Sequence, residues 1–169
     1  MRYVIGGAFA LLLALVQASS VEQFRILGVA PNLMLVMLAA WLVVHGLEDV
    51  LPMIAVGGMT LGFVGLQTPG LVLLALLAPL VALGAVRELH IIHSQALVVL
   101  AFVLGASLAY EMILLVGVLA AGGVFDLRGA FVDAVLPAAA VNLMLAPPVY
   151  LLMRLGRPSG ARRPKTYSF

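Results

Sequence analysis

Pro31-Asn32-Leu33-Met34-Leu35-Val36-Met37-Leu38-Ala39-Ala40-Trp41 sets a proline and a carboxamide in front of nine residues that carry no charge. Proline suits the first turn of a helix, because the N–H it lacks is one of the donors left unpaired there. Asn32 beside it either caps the free amides or hydrogen-bonds across a helix interface. A helix that is apolar on every side has no face for water. The stretch therefore reads as a membrane helix, about Pro31 to Val44.

The rest of the chain repeats this character. Hydrophobic residues make up 64% of the 169 positions and charged residues 9%, with a mean hydropathy of +1.23. That is more apolar surface than one water-soluble core hides. Only short polar breaks separate the runs, so no soluble domain fits between them. Residues 1–155 read as one integral membrane helix bundle, and 156–169 as a basic, disordered cytoplasmic tail close to anionic lipid. The chain has no cysteine, which removes disulfides, thiolate metal sites and a cysteine nucleophile. Met1-Arg2 with the following apolar run, and Gln17-Ala18-Ser19-Ser20 after it, imitate a signal peptide and its cleavage region. Five further apolar runs favour a retained first span.

Backbone groups in lipid need internal partners, and continuous rather than alternating apolar runs favour helices over a barrel. Six are expected: about Tyr3 to Ala18, Pro31 to Val44, Val50 to Leu66, Leu71 to Val86, Gln95 to Ala121 and Phe131 to Leu155. The class is an all-α, polytopic bundle of about six transmembrane helices. The second, third and fourth are roughly 14 to 17 residues long, against ~20 needed to cross. A re-entrant hairpin of the second and third, leaving four full spans, is the alternative, and both arrangements return the two termini to one side. With the amino terminus inside, the inner segments hold Arg2, Arg87, Arg154, Arg157, Arg162, Arg163 and Lys165, and the outer loops only Arg25 and Arg128. Both termini are expected in the cytoplasm.

Few residues offer chemistry. Glu111 is the one carboxylate deep in an expected span, where a charge costs about 2.5 to 3.5 kcal/mol on insertion scales. It must be protonated, face water, or pair with Tyr110 or an Asn of another helix. Asn142 precedes Pro147-Pro148, which remove two backbone donors and are expected to kink or locally unwind the last helix. Gly58 and Gly62 form a G-x-x-x-G word and Gly65 follows, a small-residue face for close helix contact, whether internal, homodimeric or with another protein. The words Asn32-Leu33-Met34-Leu35 and Asn142-Leu143-Met144-Leu145 match, a coincidence in so leucine-rich a chain rather than an inverted repeat. His90 and His93 lie three apart without a third ligand, so no metal site is assigned. Ser107 lacks a histidine deep in another span to activate it. No phosphate-binding glycine loop or nucleic-acid surface is present. The chain reads as a non-enzyme with no cofactor and no nucleic-acid partner.

The order of these features carries a resemblance. Pro31-Asn32 opening "PNLMLVMLAAW", the glycine-rich "GGMTLGFVGLQTPG" and the closing "VNLMLAPPVYLLMR" before a short basic tail resemble MreD, the rod shape-determining membrane protein family of bacteria. In that family an acidic residue commonly follows the third-helix glycines by about one turn, where this chain has Leu66 and then Gln67. The resemblance implies a multi-pass protein of the bacterial inner membrane that binds MreC, a single-span protein. With it, such a protein connects MreB filaments to RodA and its penicillin-binding-protein partner in the peptidoglycan-elongation complex. It also implies a bundle similar to the substrate-binding subunits of energy-coupling-factor vitamin transporters.

In the first reading, Pro31-Asn32 starts the second helix at the outer membrane face and fixes a polar contact near a partner or cavity entrance. In the transporter alternative, Asn32, Trp41, Glu111 and Asn142 line a solute pocket. An assembly role in another membrane complex is the third reading. Contact with the lipid bilayer is common to all three, and homodimerisation is left open.

Overall fold

The computed structural model describes residues 2–19, 25–26, 28–65, 68–88, 94–124 and 126–155. His90, His93, Gln67 and the tail 156–169 lie outside the described residues. The described chain is almost entirely helical: α1 Arg2–Ser19, α2 Leu33–His45, α3 Leu47–Val64, α4 Pro69–Glu88, α5 Gln95–Ala120, a short α6 Leu127–Ala130, a π turn Phe131–Val135 and α7 Leu136–Leu155.

Four helical stretches are long and apolar enough to cross a membrane: Leu47–Val64, Pro69–Arg87, Gln95–Ala120 and Leu127–Leu155. The second helix, α2, is short as expected, but its short companion is α1, and the third and fourth helices, expected to be short, are long enough to cross. The reason lies in the turns. Gly46, at φ 103°, reverses the chain in a single residue, so α3 begins at Leu47 and takes Glu48 and Asp49 into its first turn. The polar stretch His45 to Asp49 is thus helix on both sides of one glycine. α4 starts at Pro69 itself, where the missing N–H is harmless, and runs on to Glu88.

The last span gains a turn in the same way. Asp126 accepts hydrogen bonds from the Arg128 and Gly129 amides at 3.0 and 3.1 Å, capping a helix that starts four residues before the expected Phe131. The π turn Phe131–Val135 sits just before Pro137, whose absent N–H cannot continue a regular ladder. Pro147 and Pro148 do not unwind α7, which continues through them to Leu155. Their rings lie on an exposed face, where no neighbouring helix is displaced.

The core forms around α2. Nine of its thirteen residues are buried, among them Met34, Leu35, Leu38, Ala39 and Leu42, which expose no surface at all. Five helices stand around it in the order α1, α3, α4, α5, α7, each packed on the next and on α2. Glycines let several approach closely. A Cβ at Gly57 would collide with the Met34 side chain, and one at Gly62 with the Pro69 backbone. Gly58 faces Leu73 and Leu76, so the G-x-x-x-G word joins α3 to α4 within the chain. Gly65 caps α3 instead, its N–H bonded to the Leu61 carbonyl.

Candidate functional site

The buried polar side chains among the described residues are Asn32, Ser107 and Asn142, and the fold brings all three together. Asn32 stands at the N-cap of α2 and accepts a hydrogen bond from the Leu35 amide at 3.0 Å. Its own backbone N–H donates to Asn142 Oδ1 of α7 at 2.7 Å. The Asn142 carboxamide then donates through Nδ2 to Ser107 Oγ of α5 at 3.1 Å. The Tyr110 hydroxyl, one turn further along α5, interacts with the Asn32 side chain. Gln17 of α1 completes the group by donating to the Pro31 carbonyl at 3.0 Å, while its Oε1 lies 3.4 Å from the Met34 amide.

Four helices thus meet at the first turn of α2, and side chains of three of them satisfy its free amides. In a surrounding without water each such group otherwise carries its full desolvation cost, about 1 to 3 kcal/mol. In this knot Asn142 uses both its oxygen and its amide nitrogen within the chain.

The level of the knot in the bundle differs from the expected outer mouth. Ser107 is twelve residues from Gln95 and thirteen from Ala120, which places the knot at the midpoint of α5, about 18 to 20 Å from either end. α2, only thirteen residues long, covers one half of the bundle. The chain reaches Asn32 through non-helical backbone, a form tolerated at membrane depth where protein encloses it or where it lines a water-filled cavity. Pro31 and Asn32 are accordingly buried.

The other expected site residues lie elsewhere. Glu111 follows Tyr110 on α5, partly buried, and makes no hydrogen bond or ion pair with a described residue. Trp41 lies nine residues along α2 from Asn32, stacked on His45 at 4.5 Å between ring centroids and tilted against Phe9 of α1 at 5.9 Å. Its indole Nε1 is buried without an acceptor. Asn32 and Asn142 therefore belong to one feature, and Trp41 and Glu111 to two others.

Two members of the knot were not assigned to it from the sequence. Gln17 reads there as part of a cleavage-like region, and Ser107 as a nucleophile without a base. A polar side chain in an apolar helix is the signal both carried. Ser107 bonds a carboxamide, and the described histidine, His45, lies at the far end of α2 from the knot. The arrangement holds no nucleophile with a base. Among the described residues no cluster of three His, Asp or Glu side chains is placed to hold a metal ion. No protein-family model, curated protein or solved structure matches this chain.

Proposed function

We propose that this chain is a non-enzymatic membrane scaffold that works through its helix surfaces, as the resemblance to MreD implies. On this reading it sits in the bacterial inner membrane with both termini in the cytoplasm. It binds MreC and supports the elongation complex of MreB, RodA and a penicillin-binding protein. One observation carries the reading: Asn32, Ser107 and Asn142, the buried polar residues among those described, are linked by hydrogen bonds within the chain, and α2 fills one half of the bundle's axis. A solute pocket needs converging polar groups left free for a ligand. Here Asn32 and Asn142, half of the residues set aside for such a pocket, bond each other instead. What remains for recognition is the outside of the helices and the loops.

The test is recovery of the tagged chain from its native membrane in mild detergent, with bound proteins and small molecules identified by mass spectrometry. Recovery of MreC and the synthase pair is the expected result. Recovery of ATPase subunits together with a bound vitamin overturns the scaffold in favour of the energy-coupling-factor transporter.

A further inference from the structure

Glu111 lies nine residues from Ala120 and sixteen from Gln95, which sets it about 13 Å inside the nearer end of α5, too deep for so short a side chain to reach water along the helix. Its carboxyl forms no hydrogen bond or ion pair among the described residues. Nor is it sealed under neighbouring side chains as the Trp41 indole is, so it opens on the outside of the bundle. The row it belongs to agrees. Leu104 and Val118, two turns to either side, are 40% and 47% exposed, and Leu108 and Leu115 between them are partly buried. Ser107, one turn back, is buried against α7, so the carboxyl sits at the rim of the contact between α5 and α7.

The chain itself offers this carboxyl no counter-charge. Gln95 meets Tyr150 and Ser107 meets Asn142, so α5 and α7 run antiparallel and Glu111 comes level with Ala138 and Ala139, whose methyl groups cannot pair with it. All nine lysines and arginines stand in loops, at helix ends or in the tail. Those towards the Ala120 end of α5 are Arg25 and Arg128, and both are exposed. A carboxylate at this depth is among the costliest groups a span can carry, and it is tolerated where a partner compensates it. We infer that the open side of α5 at Glu111 receives a membrane-spanning helix of a different chain that carries a lysine or arginine at the same depth, paired with the Glu111 carboxylate.

Other occupants lack the matching chemistry. A second copy of this chain brings another carboxyl and no cation, since no lysine or arginine lies within its spans away from their ends. A calcium ion takes about six to eight oxygen ligands, far more than one carboxylate facing alanines supplies. The amine of a lipid headgroup stays at the interface, above this depth. A proton alone neutralises the carboxyl but leaves its polar groups unpaired in hydrocarbon. A basic side chain removes the charge and the unpaired oxygens together, through hydrogen bonds strengthened by charge. The inference rests on the scaffold reading for the premise that the chain works in a complex, and on Glu111 for where the partner lies and what it carries.

A photoreactive benzoylphenylalanine at Leu104, already exposed and on the same row, tests it in the full chain in its native membrane, with the same residue at exposed Phe63 of α3 as the control. The expected product is a Leu104 adduct to another protein, absent from the control, whose mapped peptide lies in a membrane span containing a lysine or arginine. Glu111→Gln keeps the shape and removes the charge. It should lower the adduct yield roughly tenfold or more, as loss of a charged hydrogen bond does, with the unfolding midpoint of the purified chain unchanged, while Glu111→Asp keeps most of the yield. Glu111→Lys should abolish the adduct, and changing the mapped basic residue to Glu in the same cells should restore it. Adducts to lipid alone or to a second copy, a mapped span without lysine or arginine, or a yield indifferent to Glu111→Gln overturn the inference. If MreC and the synthase pair are recovered while Leu104 gives no protein adduct, the Glu111 contact falls and the scaffold stands. If the adduct forms on a basic span but no elongation protein is recovered, the contact stands and the scaffold reading falls.

Discussion

Asn142 carries more of this fold than any other polar side chain, because it serves a backbone donor on one helix and a hydroxyl on another. Asn142→Leu leaves the Asn32 amide and Ser107 without partners, and should destabilise the protein by about 1 to 3 kcal/mol. Ser107→Ala removes one interhelical bond and leaves the more important Asn32 contact, so about 0.6 to 1 kcal/mol is expected. Denaturant unfolding in detergent, read by Trp41 fluorescence, measures both. An order reversed between the two would contradict the geometry. Glu111 behaves in the opposite way. It loses no partner when replaced, so Glu111→Leu should leave the unfolding midpoint unchanged or raised. A clear drop would mean that its carboxylate is held by a group outside the described residues.

Among the helices, α3 and α4 owe their contact to small residues. Gly62 admits the Pro69 backbone, which cannot rotate away as a side chain does, so Gly62→Ala should cost about 1 to 3 kcal/mol. Gly70, one residue into the same α4, has open space around it, and Gly70→Ala should stay within about 0.5 kcal/mol of the parent. Thermal unfolding of the two variants side by side checks the pair. α2 presents a different balance. Its thirteen residues cross no bilayer alone, and its stability comes from being enclosed on most of its surface and capped by neighbours at its start.

On the proposed topology, with both termini in the cytoplasm, the two ends of α5 lie on opposite sides of the membrane. The chain contains no cysteine, so single substitutions label cleanly. Val124→Cys, beyond the end of α5, should react with an impermeant maleimide added outside the cell. Ser94→Cys at the opposite end should react only after the membrane is opened. The reverse pattern would invert the orientation and place the basic tail outside.

Helical class was legible from the uncharged runs, because a closed barrel, the other way to satisfy a backbone in lipid, would alternate apolar and polar residues. The Asn32 cap was legible too, since a cap is local: Asn32 reaches Leu35, three residues on, whereas Pro31, expected in the first turn, lies just before the cap in non-helical backbone. Helix lengths were less so, because Gly46 and Asp126 turned residues of polar appearance into first turns of helices. The partner of Asn32 lies 110 residues away, and no spacing rule connects it to Asn142. The uncharged run of α2 read as a helix in lipid. Whether lipid or protein enclosed it was decided by packing, since both are equally apolar neighbours and only the close approach of α3, α4, α5 and α7 distinguishes them.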